Sequence, residues 1–167
     1  MSGTEITRRP GGRSLLVSGV AGATAAATGL AGGVTGAGVT ALGTLVLLAG
    51  VRTANHRVVD VGGLLAFVGV VFAALGNAAE PAVLVGTAAS VVAWDAGGNA
   101  VSLGEQLGAQ ADTARAETLH AATGALVGLV SAGIGLTLFE VGPTRQPVTT
   151  LFVLLVAAAL LVVALNR

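Results

Sequence analysis

From Leu15 to Val51 the chain reads LLVSGVAGATAAATGLAGGVTGAGVTALGTLVLLAGV, without one charged side chain. As a single α-helix this stretch would be about 55 Å long, against a hydrocarbon core of about 30 Å. Two helices fit where one does not. The turn is expected at Gly32–Gly33, because a glycine pair supplies the φ freedom of a tight connection. The first span is then expected over 15–31 and the second over 34–51. The first is only weakly apolar, with Ser18, Thr24 and Thr28 interrupting it.

Working outward, the whole chain shares this character. Hydrophobic residues make up 54% of its 167 residues, with 26 glycines besides. Charged residues are 10%, against about 25% in a soluble domain, too few for a polar surface around a core. Mean hydropathy is +0.89. These totals predict an all-α, polytopic integral membrane protein. There is no cysteine, which excludes disulfides, thiolate catalysis and iron–sulfur clusters. Formal net charge is zero, so the chain lacks the basic footprint of nucleic-acid binding.

The lead, residues 1–14, is polar. Its Arg8–Arg9 pair precedes Pro10–Gly11–Gly12 rather than an apolar residue, so it reads as a positive flank and not a twin-arginine signal. After the polar segment Arg52–Arg57 a third span is expected over 58–78, with Asp60 in its first turn, where the helix dipole favours a carboxylate. Glu80–Pro81 opens the next helix, since proline suits a helix start. Further spans are expected over 82–103, 119–139 and 148–165, the last almost unbroken Leu, Val and Ala. The domain thus covers 15–165, with 104–117 as a polar connector.

Arginine counting decides between five and six spans. With six, Arg8, Arg9, Arg13, Arg52, Arg57, Arg115 and Arg167 fall on one side and only Arg145 on the other. With five, the split is four against four. The positive-inside rule favours the uneven split. The expectation is a six-helix bundle in the cell membrane with both termini cytoplasmic.

Small residues at four-residue spacing let helices approach closely in lipid. Ala21, Ala25, Gly29 and Gly33 form one stripe. Gly62, Ala66 and Val70, with Gly69 and Ala73 beside them, form a second, and Gly124, Gly128 and Ala132 a third.

Asp95 lies inside the fourth span, past the midplane toward the cytoplasm, with Asn99 at i+4, Ser102 at i+7 and Gln106 at i+11 on one helical face. Gly97 and Gly98 leave room beside it. Asp95, Asn99 and Ser102 are the candidate intramembrane polar network, and two readings stand. One is an interhelical hydrogen-bonding network that fixes packing, with Trp94 filling space. The other is a proton or ion path. No intramembrane basic partner for Asp95 is visible in the sequence.

Glu105, Gln106, Arg115, Glu117 and His120 are candidate polar residues at the cytoplasmic mouth. Glu117-x-x-His120 places two metal-ligand types on one face, but a di-iron bundle needs two such motifs plus two further glutamates. No metal or cofactor is expected. No nucleophile–base pair or phosphate loop is present, so no enzyme is expected either. Leu103, Leu107 and Ala111 recur at four-residue spacing, so 104–117 is either an amphipathic partner surface extending the fourth helix or a solvated connector.

At Glu5–Ile–Thr–Arg–Arg–Pro10, at Ala93–Trp–Asp–Ala–Gly–Gly–Asn99 through Gly104–Glu–Gln–Leu–Gly108, and at Ala111–Asp–Thr–Ala–Arg–Ala–Glu–Thr–Leu–His120, the chain resembles a family of uncharacterised multi-pass membrane proteins of halophilic archaea. The resemblance implies an accessory role in a membrane-associated assembly, beside MoxR-type AAA ATPases and von Willebrand factor A-like proteins. It also implies an acidic residue in relatives where this chain has Gly98. Beside the lipid bilayer, the expected partner is therefore a protein meeting residues 104–117. The expected function is a non-enzymatic anchor or accessory subunit, the alternative a small transporter or channel using Asp95.

Overall fold

A computed structural model describes residues 12–107 and 114–141. Five α-helices follow one another: α1 (Gly12–Gly29), α2 (Val34–Arg52), α3 (His56–Leu75), α4 (Glu80–Leu107) and α5 (Ala114–Val141). A 3-10 turn, Leu30–Gly32, closes α1. No strand occurs among the described residues. The chain divides into two units, Met1–Leu136 and Thr137–Arg167. Of the second, only the end of α5 at 137–141 is described, and the sixth expected span, 148–165, lies outside the described residues.

Local chemistry explains the boundaries. Gly33 has φ 111°, a backbone conformation that L side chains rarely adopt, and it separates α1 from α2. Gly32 is needed for another reason. A Cβ there would overlap the carbonyl of Ala73, so the residue is small to admit α3. Asn55 caps α3 by accepting a hydrogen bond from the Val58 N–H at 3.3 Å. That cap starts α3 at His56 rather than 58, so Asp60 lies beyond the first turn, contrary to expectation. Asn77 takes φ 65° after α3, and Pro81 sits in the first turn of α4.

The first four helices form an up-down bundle in which each packs on its neighbours, α2 on α3 most extensively and α1 on α4 next. Its core is Leu47, Val51, Val59, Ala93, Ala100 and Val101. Close approach comes from glycine. Cβ atoms on Gly43 and Gly62 would overlap the backbone nitrogens of Ala66 and Leu47, and one on Gly69 would overlap that of Thr40. Gly36 faces Ala73 and Gly50 faces Val59 in the same way. Along α2 the contact positions 36, 40, 43, 47 and 50 step by four and three. Their partners on α3 (73, 69, 66, 62 and 59) run in the opposite direction in matching steps. That alternation is the 3.5-residue period of a left-handed helix pair.

Polar residues inside these helices mostly satisfy themselves. Thr24, Thr28, Thr40, Thr44, Ser90 and Ser102 each donate to a carbonyl three or four residues earlier, at 2.8–3.1 Å. The interruptions in α1 are thereby compatible with an apolar setting. Ser18 differs: its Oγ is buried without a partner among the described residues.

Four helices are long and apolar enough to cross a membrane: Gly12–Gly32, Val34–Arg52, His56–Leu75 and Glu117–Leu138. They are compatible with a membrane-embedded protein. α4 is not in that set, although its 28 residues are ample in length. Asp95, Asn99 and neighbouring small residues dilute its hydropathy, while Ser90, Ala93, Ala96, Ala100 and Val101 are buried in the bundle.

Candidate functional site

The polar side chains gather toward one end of the bundle, where α1, α3 and α5 begin and α2 and α4 end. Several make contacts that depend on a partner helix. The most consequential is at Asp95, the sixteenth residue of α4. His120 on α5 brings its Nε2 to 2.7 Å from Asp95 Oδ2, and the N–H donates to the carboxylate. Asp95 therefore has a basic partner, correcting the sequence expectation. The cause lies in the start of α5. The helix begins at Ala114 instead of 119, so His120 sits nearly two turns inside it, level with Asp95.

The face Asp95, Asn99, Ser102 exists on α4, but no hydrogen bond runs along it among the described residues. Asp95 bonds across to α5, and Ser102 Oγ donates back to the Gly98 carbonyl at 3.1 Å. Asn99 is half-buried and makes no side-chain hydrogen bond among the described residues. A Cβ on Gly98 would meet open space, so the position could carry the acidic side chain that the family resemblance implies for relatives.

Trp94 does more than fill space. Its Nε1–H donates to Asp60 Oδ1 on α3 at 2.9 Å, and its ring lies where a Gly63 Cβ would be. This binds α4 to α3 one residue before the bond that binds α4 to α5.

Glu117 lies three residues before His120 on α5. It is buried, and its Oε2 accepts from both the N–H and the Oγ of Ser14 in the first turn of α1, the backbone bond measuring 3.0 Å. A carboxylate at a helix N-terminus satisfies an otherwise orphaned N–H and complements the dipole. Glu105 pairs not with Glu117 or His120 but with His56, Nε2 to Oε2 at 3.7 Å, both well exposed. Gln106 and Arg115 are exposed. Of the polar connector, 104–107 belong to α4 and 114–117 to α5; 108–113 lie outside the described residues.

Between α4 and α5 runs an open groove of about 640 Å³. Leu84, Thr87, Ala88, Val91 and Val92 line one side and Thr123, Gly124, Val127, Gly128, Ser131 and Ala132 the other, with Asp95 and His120 among its walls. Glu117 is the one residue of α5 that is buried among those described. Its small residues Gly124 and Gly128 face α4, but an added Cβ would only reach ordinary contact, 3.6 Å from Asp95 Oδ2 and 3.5 Å from Ala88 Cβ.

Sequence reasoning found Asp95, Glu117 and His120 as chemistry-bearing residues but not their pairing. Asp60–Trp94 was missed as a pair. Its signal was available, since a tryptophan N–H at membrane depth needs an acceptor.

No curated protein matches the chain, and no solved structure does. A family of unknown function, DUF7519, matches over residues 8–162, nearly the whole chain. Its apolar helices and its polar cluster are thus those of one continuous family domain, and the chain belongs to DUF7519.

Proposed function

We propose that the chain is a six-span membrane protein, both termini cytoplasmic, acting as a non-enzymatic anchor or accessory subunit of a membrane-associated assembly. The observation that carries this reading is the length of α4. Its 28 residues extend for about 42 Å, roughly 12 Å beyond the hydrocarbon core. Glu105 and Gln106 are exposed at its far end, and Arg115 is exposed at the start of α5. Glu105, Gln106 and Arg115 therefore support a polar surface at this end, the one a soluble partner would meet. Arg13, Arg52, Arg57 and Arg115 all belong to helix ends that meet on this side, which supports a cytoplasmic assignment. A MoxR-type AAA ATPase or a von Willebrand factor A-like protein is the class of partner that the resemblance to haloarchaeal membrane proteins implies.

Pull-down from native membranes tests the reading. Deletion of residues 106–115 is expected to abolish recovery of the partner; unchanged recovery would sink the proposal. Because the chain has no native cysteine, single cysteines at Glu105 and at Glu80 are expected to label from opposite sides of a sealed vesicle.

A second reading, a small transporter or channel, is favoured by one observation: the Asp95–His120 pair opens onto the α4–α5 groove. Intramembrane acid–imidazole pairs serve proton relays. Identical proton and ion flux in liposomes holding wild type and Asp95→Asn would rule out that path.

A further inference from the structure

A largely apolar groove with one ionisable pair is a demand for a particular kind of occupant. Asp95 and His120 keep about half of their side-chain surface open, 51% and 43%. Ionisable groups open to hydrocarbon are unfavourable, so something at their level must form hydrogen bonds. From Leu84 to Val92 and along the facing stretch of α5, the walls are mostly apolar, with the hydroxyls of Thr87, Thr123 and Ser131 among them and that of Thr123 turned back to the Leu119 carbonyl, and ask for a largely hydrocarbon occupant. The distance from Leu84 to Asp95 is about 16 Å along α4, close to half the hydrocarbon core, the depth of one leaflet. The volume falls in the range of small-molecule sites.

Charge narrows the head group. The imidazole donates to Oδ2, leaving Oδ1 of Asp95 as an acceptor without a hydrogen bond among the described residues. No other ionisable side chain lines the groove among the described residues. A cationic head would compete with His120 for the carboxylate, and an anionic head would meet no free cation. An uncharged hydroxyl head fits, because it donates to Oδ1 without disturbing the pair.

We propose that the α4–α5 groove is a binding site for a single-chain, uncharged lipid alcohol, its hydroxyl on Asp95 and its chain running toward Leu84. This rests on membrane embedding but not on the anchor role. The test is photolabelling in phosphatidylcholine–phosphatidylglycerol vesicles with a diazirine-bearing hexadecanol, followed by mass-spectrometric mapping. Adducts are expected on 84–92 and 123–132. The methyl ether of the same probe, which cannot donate, is expected to label about fivefold less, the effect of losing one hydrogen bond. Asp95→Ala is expected to reproduce that loss and Asp95→Asn to restore labelling, because the carboxamide oxygen still accepts. Gly128→Leu, on the open side of α5, is expected to fill the groove and remove its adducts.

Equal groove labelling by alcohol and ether would overturn the proposal, as would labelling indifferent to Gly128→Leu. Exposed Leu45 and Leu64 serve as reporters of the lipid-facing surface in every variant. Adducts confined to them would overturn the groove site alone. Their absence would overturn membrane embedding itself, and the site with it.

Discussion

The α2–α3 pair and the α4–α5 pair both present small residues to a partner helix, yet one is closed and the other open. Along the α2–α3 seam Gly36, Gly43, Gly50, Gly62 and Gly69 meet backbone, so that even a methyl group at Gly43 or Gly62 would overlap main-chain nitrogen. On α5, methyls at Gly124 and Gly128 would reach ordinary contact, and at Gly133 and Gly135 open space. A small-residue stripe therefore does not by itself specify tight packing. What decides is whether both helices carry small residues in a matching register. α2 and α3 do; α4 faces α5 with Leu84, Val91 and Val92, and the Asp95–His120 bond joins the two helices instead.

This contrast can be broken by substitution. The largest effect is expected for Gly43→Ala, whose Cβ has no room without separating α2 from α3. A destabilisation of about 3 kcal/mol, the upper range for overpacking, should appear in reversible unfolding in detergent. A loss under about 1 kcal/mol would mean that the α2–α3 seam is looser than described. Glu117→Ala comes next. Removing a buried carboxylate leaves the Ser14 N–H and hydroxyl without their acceptor, at a cost of about 2 kcal/mol. Loosening should concentrate at the start of α1, read by hydrogen exchange at residues 14–18.

Much of the first three helices was legible in the chain, because their limits are written in short-range chemistry. The span length and the glycine pair place the first turn, and Pro81 places the start of α4. Gly32 and Gly33 illustrate the limit of that reading. Both look like turn residues, but only Gly33 uses a positive φ, while Gly32 is small for the sake of Ala73, far along the chain. The α2–α3 seam was half visible. Four-residue spacing collects Gly62 and Ala66 but skips Gly69, whereas seven-residue spacing collects Gly36, Gly43 and Gly50 on α2 and Gly62, Gly69 and Gly76 after them.

The polar site was less legible for a physical reason. Residue type identifies Asp95, Glu117 and His120 as groups that need partners, but pairing depends on the rotation and depth of helices far apart in sequence. Ser14 and Glu117 are separated by 103 residues. The depth of His120 hinges on five residues at the start of α5, and helix starts without a strong cap are poorly marked. Thr113, before Ala114, is a capping type, but threonine also stands inside α1, α2 and α4, so by itself it marks no helix start.

Smaller effects sharpen the comparison further. Trp94→Phe keeps the ring over Gly63 and deletes the bond to Asp60, a loss of about 1 kcal/mol in the same unfolding measurement. Gly128→Ala is expected to leave stability unchanged or raise it by up to about 1 kcal/mol, the helix-propensity gain of alanine over glycine. The same chemical change is thus expected to be severe at Gly43 and mild at Gly128. Equal effects at the two sites would dissolve the distinction between the pairs.

The central claim, that α5 faces α4 across the groove at the level set by Asp95 and His120, has a direct measurement. The ideal Cβ of Gly128 lies 3.5 Å from the Cβ of Ala88, within the Cβ–Cβ range of a disulfide. In this cysteine-free chain, the double variant Ala88→Cys/Gly128→Cys is expected to cross-link on mild oxidation in membranes, while Ala88→Cys/Gly135→Cys is not. Failure of the first pair to cross-link, or equal cross-linking of both, would contradict the account.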